Sequence, residues 1–207
     1  MRRILLVLIL VLAFPAALAA EDAAVRYQAL VAAAKMGKQP VDWQALRFAY
    51  ADTPDFDPLG AETRTRRERM FAAYAAGDDK TALAEAVRVL DQNYTDIAAH
   101  VVSEVASRDL GDEDRSRQEH EIVVALLRSI RTGDGQTPAT AFTVVSITEE
   151  YDYLRYLKYE FHQQALVSLD GHAYDRFEVE RDGKSYAFYF LADRVLAAEA
   201  ALLQPKP

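Results

Sequence analysis

The spacing of apolar residues divides the chain into a helical part and a strand-rich part. Between 20 and 135 the chain is rich in alanine, leucine and charged residues, and its apolar residues recur three or four positions apart. Glycines near several of the expected helix ends favour termination there. The pattern predicts six helices, over 23–36, 41–51, 61–76, 79–91, 95–108 and 113–132.

The predicted helices contain a weak internal repeat. Gly77-Asp78-Asp79 recurs 34 residues later as Gly111-Asp112-Glu113, and each copy opens a predicted helix. This period, with a helix–turn–helix layout, is typical of tetratricopeptide repeats, in which helix pairs stack on their neighbours. The large residues and the proline of that repeat are mostly missing. We therefore predict tetratricopeptide-like packing of helix pairs and not a repeat array.

The second part of the chain, 140–207, has the residue pattern of strands. The run from Phe142 to Ile147 is β-branched and aromatic. Asp170-Gly171 and Asp182-Gly183 predict hairpin turns, because aspartate and glycine tolerate the positive φ of such turns. Further strands are predicted over 161–169, 173–180 and 185–191, with helices over 149–157 and 193–203. The chain is therefore predicted to be α+β, with a bundle of helix pairs at 20–135, then a small and mainly antiparallel sheet at 140–207, all in one domain over 20–207.

Residues 1–19 have the three zones of a cleavable secretory signal peptide. Two arginines are followed by an apolar run from Ile4 to Phe14, and Ala17-Leu18-Ala19 is a small-x-small cleavage site. Pro15 is expected to break the apolar helix before that site. The run is shorter than the about 20 apolar residues that span a membrane. We expect a periplasmic or secreted protein that starts at Ala20 and has no membrane segment after cleavage.

The composition narrows the possible chemistry. The chain has no cysteine, which excludes disulfides, thiolate nucleophiles and thiolate metal sites. Its net charge of −8 disfavours nucleic acid and anionic lipid surfaces, because cationic side chains dominate affinity for both. Standard nucleophile, phosphate-loop and zinc-protease motifs are also absent from the sequence. We therefore expect no cofactor, and a partner that is a protein or a small ligand; the oligomeric state stays open.

The most polar point of the second part is the run Glu149-Glu150-Tyr151-Asp152. One interpretation is a carboxylate cluster for acid–base chemistry or for a divalent cation. The other is a helix start, because Ser146 and Glu149 fit a capping box and acidic residues stabilise the first turn of a helix. The second interpretation is favoured, since helix starts attract acidic residues on their own account.

Two histidines fall on predicted helices that would be neighbours. His100 has Glu104 one turn away, and glutamates flank His120. If both rings faced one groove, they could bind zinc together with a carboxylate. Their spacing is not diagnostic, so hydrogen-bonded packing histidines are favoured and no metal is predicted. The alternative function is a hydrolase or metal-assisted enzyme that uses His100, His120 and the Glu149/Glu150 pair.

Short motifs along most of the chain carry a resemblance to a known family. They are Val41-Asp42-Trp43 with Leu46, Arg47 and Tyr50; Phe56-Asp57-Pro58; Ala99-His100; Gly133-Asp134-Gly135; Ala141-Phe142; Glu149-Glu150-Tyr151; Gln164-Ala165-Leu166; and Tyr174-Asp175. Together they resemble an uncharacterised family of exported bacterial proteins that is described only as a domain of unknown function. Serine is usual in that family at the position of Ala165. The resemblance implies an exported single domain and assigns no activity.

The candidate site combines the polar family positions with one neighbouring tyrosine. Its members are His100, Asp134, Glu149, Glu150, Tyr151 and Gln164. We expect the Glu149-Glu150-Tyr151 segment at the junction of the two parts of the chain, near Asp134 and His100. A binding or protein-interaction module is the favoured function, because stacked helix pairs form a concave surface and no nucleophile–base set can be assembled.

Overall fold

The computed structural model describes residues 14–37, 40–61 and 63–203, so most of the predicted signal peptide lies outside it. Within these ranges the chain forms eight α-helices, one short 3-10 helix and four strands. They are α1 Phe14–Lys35, α2 Trp43–Ala51, α3 Arg64–Ala75, α4 Asp79–Gln92, α5 Ile97–Asp109, α6 Glu113–Ile130, the 3-10 helix Pro138–Thr140, β1 Phe142–Thr143, α7 Ile147–Tyr156, β2 Glu160–Leu169, β3 His172–Arg181, β4 Lys184–Leu191 and α8 Asp193–Leu202. The α+β class and the order of helices before strands are confirmed.

The repeated Gly-Asp motif marks two helix boundaries. Gly77 and Gly111 both have positive φ after the helix that they follow, a conformation that costs glycine little. Asp78 and Asp112 then cap α4 and α6 by accepting a hydrogen bond from a backbone amide of the first turn. Helices α3 to α6 pack on one another in chain order. These residues end one helix and start the next, and they thereby set the boundaries of the stacked, tetratricopeptide-like helix pairs.

The first helix starts earlier than the pattern predicts. Its described part runs from Phe14 to Lys35, so the helix includes residues before 23 and passes through the expected cleavage site before Ala20. The predicted break of the apolar run at Pro15 concerns residues that mostly lie outside the described ranges. No helix in the described ranges is long and apolar enough to cross a membrane.

The sheet has the strand order β1-β4-β3-β2. Strands β2, β3 and β4 are antiparallel neighbours, whereas β1 runs parallel to β4. The strand predicted over 142–147 ends at Thr143, because Ser146 caps α7 by accepting a hydrogen bond from the Glu149 amide. The helix consequently begins at Ile147, two residues before its predicted start.

The helices cover one face of the sheet. Phe142, Phe177, Phe188 and Phe190 stand on that face, with ring centroids of neighbouring pairs 5.3–5.5 Å apart. They belong to one cluster of buried apolar side chains that also includes residues of α1 to α8. Helix α7 lies between this aromatic layer and the helical part, so its side chains can reach both.

Candidate functional site

Four consecutive side chains of α7 contact four different elements. Successive residues of a helix point about 100° apart, so a run of four covers the whole circumference. Glu149 contacts α2, Glu150 faces β3, Tyr151 contacts β2 and Asp152 contacts α3. The Glu149-Glu150-Tyr151-Asp152 run therefore joins the helical part to the sheet, which is the junction expected from the sequence.

Glu149 forms a buried ion pair with Arg47 of α2. The guanidinium donates from Nε to Oε1 and from Nη2 to Oε2, both at 2.7 Å. The backbone amide of Val145 also donates to Oε2 at 2.8 Å. The remaining Arg47 donors reach Ser129 Oγ at 3.1 Å and the Thr143 carbonyl at 2.8 Å. This bidentate, fully hydrogen-bonded pair ties α2, α6, β1 and α7 together.

Asp152 forms a second buried pair, with Arg67 of α3. Nη2 of Arg67 donates to both carboxylate oxygens of Asp152, at 2.9 and 3.0 Å. Nη1 of the same arginine donates to Asp96, the residue that caps α5. Burial raises the pKa of Asp152 to about 6, because Arg67 offsets the burial only in part and the Asp96 carboxylate opposes ionisation. One arginine thus links α3, α5 and α7.

Glu150 differs from its neighbours because it has no cationic partner. Its side chain is fully buried, and no donor reaches either carboxyl oxygen. Burial first, and then the charge of Asp175 on β3, raise the pKa of Glu150 well above its ordinary value. A protonated Glu150 can donate its hydroxyl to the Asp175 carboxylate, which two ionised groups could not do. Burial and the neighbouring acid therefore both favour the neutral form of Glu150.

Tyr151 and Gln164 are brought together by the fold. The Tyr151 hydroxyl donates to Gln164 Oε1 of β2 at 2.7 Å. The tyrosine ring packs against Phe161 and Phe177, with centroids 5.8 and 5.4 Å away. Burial, and then the nearby Glu150 and Asp175 carboxyls, raise the pKa of Tyr151. Two of the predicted site residues therefore form one polar contact at the edge of the sheet.

His100 lies elsewhere, buried between α5 and α6. Its Nδ1 is 2.6 Å from Glu119 Oε2, and its Nε2 is 2.8 Å from the Tyr94 carbonyl. Both ring nitrogens therefore contact an oxygen atom, and the ring is held from two sides. Burial alone would raise the pKa of Glu119, but the His100 and Ser103 contacts and the charges around them lower it. The contact between His100 and Glu119 therefore identifies His100 as a hydrogen-bonded packing residue.

The second helix histidine, His120, and Asp134 also lie apart from α7. His120 is half exposed and lies 3.1 Å from Glu104, so the two helix histidines have separate partners. In the described ranges no three metal-ligating side chains are grouped as a metal site. Asp134 is exposed and accepts hydrogen bonds from Thr140 Oγ1 at 2.6 Å and from the Gln136 amide at 3.0 Å. These bonds, the one from Thr140 first, lower the pKa of Asp134.

The glycines around Asp134 are required by close packing. A Cβ atom on Gly133 would lie 2.3 Å from the Thr140 carbonyl oxygen. A Cβ on Gly135 would lie 2.4 Å from the Phe142 ring, and φ of Gly135 is +73°. The Gly133-Asp134-Gly135 motif is therefore a tight loop that lies against the start of β1.

A cleft of about 290 Å³ opens beside Tyr151 and Asp152, between α3 and α7. We call it the α3–α7 cleft. Its lining includes three arginines and two aromatic rings: Arg64, Arg67, Arg155, Phe71 and Tyr151. The loop before α3 closes one side, where the Ile147 amide donates to the Pro58 carbonyl at 3.2 Å. The cleft therefore lies where the helical part meets the strand-rich part.

Three arginines and two acids line the cleft, and Asp96 pairs with Arg67 beside it, so most of the cleft charge is balanced. Arg67 is neutralised by its two aspartates, and Nη1 of Arg155 donates to Asp152 at 3.2 Å. The guanidinium carbons of Arg67 and Arg155 lie 5.6 and 5.9 Å from the centroid of Phe71. Arg64 is exposed and has no ion-pair partner among the described residues. Of the lining acids, Asp152 is already paired and Glu68 is exposed.

The family model described as "Domain of unknown function (DUF4919)" matches residues 32–200. The chain belongs to the DUF4919 family. No curated protein and no solved structure matches the chain. The resemblance predicted from the motifs is confirmed, and membership of DUF4919 assigns no activity to any residue.

Sequence reasoning did not identify the partners of the motif in this DUF4919 domain. Arg47 lies between Leu46 and Ala49 on the buried face of α2. An arginine on such an apolar face is a signal for a buried ion pair. Asp175 similarly stands two residues before Phe177 on the inner side of β3. An acidic residue among the alternating apolar residues of a strand is the corresponding signal for Asp175.

Proposed function

We propose that this DUF4919 domain is an exported binding protein that holds a small organic anion in the α3–α7 cleft. The observation that carries the proposal is the grouping of three arginines and two aromatic rings in one cleft. Four of the six residues at 64–69 are arginine, in a chain whose net charge is −8. Arginine is therefore concentrated beside the cleft in an acidic protein, and Arg64, which has no ion-pair partner among the described residues, offers a positive charge to an anion.

The lining favours a carboxylate that has an apolar body. Guanidinium groups match the planar geometry of carboxylates and can bind them with two parallel hydrogen bonds. Arg64 is the arginine whose donors are free among the described residues, so it is assigned the direct contact. Phe71 and Tyr151 offer apolar ring surface beside it. A volume of about 290 Å³ fits a small molecule, at the lower end of the range for ligand pockets.

Export is supported by the sequence of the first nineteen residues. They have a positive start, an apolar run and a small-x-small site in the order that the secretory peptidase requires. The absence of cysteine suits a protein whose folding does not depend on the redox state of its compartment. We therefore assign the binding protein to the periplasm or the medium.

The hydrolase or metal-assisted alternative gains no support from the described residues. Its four proposed groups have separate partners: His100 with Glu119, His120 with Glu104, Glu149 with Arg47, and Glu150 with Asp175. A nucleophile and a base must lie within hydrogen-bond reach of each other and of a substrate. The binding function is therefore the one retained.

Ligand titrations test the proposed function. Benzoate and hexanoate are added to the exported protein, with benzyl alcohol as a neutral ligand of matched shape, and binding is followed by calorimetry. We expect the carboxylates to bind and the alcohol not to bind. Arg64→Met should weaken carboxylate binding by about tenfold or more, the effect of losing one charged contact.

The control is Arg69→Met, which removes an exposed arginine of the same helix that does not line the cleft. This variant should bind the carboxylates like the wild type. The proposed function is wrong if neither carboxylate binds, if benzyl alcohol binds as well as benzoate, or if the two arginine variants lose affinity equally.

A further inference from the structure

Strand β2 is a long and uncovered edge of the sheet. The strand has ten residues, and no described element pairs with its outer side. Natural edge strands are protected by lysine, proline, bulges or short length. Strand β2 contains neither lysine nor proline, and its bulge lies between Phe161 and Gln163. The segment 163–169 is therefore a regular edge with free main-chain donors and acceptors.

Apolar side chains are exposed along the same strand. Phe161, Leu166 and Leu169 are 48%, 57% and 46% exposed. Other exposed large apolar residues are scattered over separate helices and loops, whereas these three share one strand. Exposed apolar side chains beside unpaired main-chain groups mark a surface for pairing with another strand.

We propose that β2 pairs with β2 of a second copy of this chain, antiparallel and centred on Leu166. The two four-stranded sheets then form one continuous sheet across the dimer. Residues directly opposite each other in an antiparallel pair stand on the same face of the sheet. Leu166 would contact Leu166 of the other copy, Gln164 would face Ser168, and Ala165 would face Val167.

The side chains favour this register over its neighbour. Within the regular segment 163–169 the pairs are Leu166 with Leu166, Ala165 with Val167, Gln164 with Ser168, and Gln163 with Leu169. The first three of these pairs match in polarity. A register centred on Gln164 would place Leu166 opposite His162 at the bulge, and only Gln163, Gln164 and Ala165 would pair within the regular segment. The longest stretch of matched positions is therefore obtained when Leu166 is on the two-fold axis.

The partner of β2 is a second copy of this chain, because the strand is complementary to itself. Complementarity of this kind is the requirement for a two-fold interface, in which one patch contacts the same patch. The proposal uses a different surface from the α3–α7 cleft, so it does not depend on the proposed ligand. It predicts a defined dimer whose stability depends on residue 166.

Sedimentation analysis over a dilution series tests the dimer. The wild-type mature chain should sediment as a dimer that dissociates on dilution. Leu166→Lys should weaken association at least about tenfold, because two lysines would face each other on the axis. Leu110→Lys is the matched control, since Leu110 is an exposed leucine at the end of α5, and it should leave the dimer unchanged. Circular dichroism confirms that each variant folds.

A charge-swap experiment tests the register. Leu166→Asp alone should be monomeric, like Leu166→Lys. An equimolar mixture of the two variants should form a heterodimer by native mass spectrometry, because each aspartate would face a lysine. The proposal is overturned by a wild type that stays monomeric, by a dimer that tolerates Leu166→Lys, or by a mixture that forms no heterodimer.

Discussion

Two adjacent glutamates of α7 are expected to respond in opposite ways to the same substitution. Glu149 lies against the buried guanidinium of Arg47, whereas Glu150 is buried beside another acid, Asp175. Glutamine keeps the shape of glutamate and removes its charge. Glu149→Gln should therefore destabilise the protein, and Glu150→Gln should stabilise it at neutral pH.

The magnitudes follow from the two environments. Removing one partner of a buried ion pair leaves an uncompensated charge, which costs about 3–5 kcal/mol. This is the expected loss for Glu149→Gln. The folded-state pKa of Glu150 is raised above its ordinary value of 4.5. At a pH below this ordinary pKa, Glu150 therefore costs the wild type no stability. As the pH rises above it, the free energy of unfolding of the wild type falls until the pH reaches the pKa of Glu150 in the folded protein. The fall is about 1.4 kcal/mol per pH unit within that window.

Glutamine at position 150 cannot ionise in either state, so this loss disappears in the variant. Urea unfolding of the wild type and of both variants, at about pH 4 and about pH 7, measures the effect through the free energy of unfolding. The advantage of Glu150→Gln over the wild type should grow between the two pH values. An advantage that stays constant with pH, or a stabilising Glu149→Gln, would refute the reasoning.

Two other predictions concern the loop before β1 and the start of the mature chain. Gly135→Ala should cost about 2–4 kcal/mol, because the new Cβ would lie 2.4 Å from the Phe142 ring. Gly183→Ala, at a similar φ but with open space around it, should cost only about 1–2 kcal/mol, and thermal melts of both variants measure the difference. N-terminal sequencing of exported protein should begin at Ala20, and a retained Met1 would contradict the predicted cleavage.

Most of the fold could be predicted because its signals are local. The helical period, the alternation along strands and the Gly-Asp boundaries each depend on a few neighbouring residues. The elements predicted from them lie close to the observed ones. The early end of the first strand has an equally local reason, because Ser146 serves as a helix cap.

The candidate site was harder to predict because its contacts are long-range. The capping role of Ser146 with Glu149 was predicted, but the partner of the Glu149 carboxylate is Arg47, 102 positions away. No periodic pattern links two such residues. The sequence also suggested one role for Glu149 and Glu150 together. Their directions on α7 differ by about 100°, so one meets a cation and the other an acid.

The most direct test of the proposed function is an intermolecular NMR contact. Benzoate is added to isotope-labelled protein, and nuclear Overhauser effects are recorded between its ring protons and protein side chains. Our account predicts contacts to Phe71 and Tyr151 in the wild type, which disappear at the same benzoate concentration in Arg64→Met. Contacts to other surfaces only, or contacts that persist in Arg64→Met, would contradict the assignment of the α3–α7 cleft as an anion site.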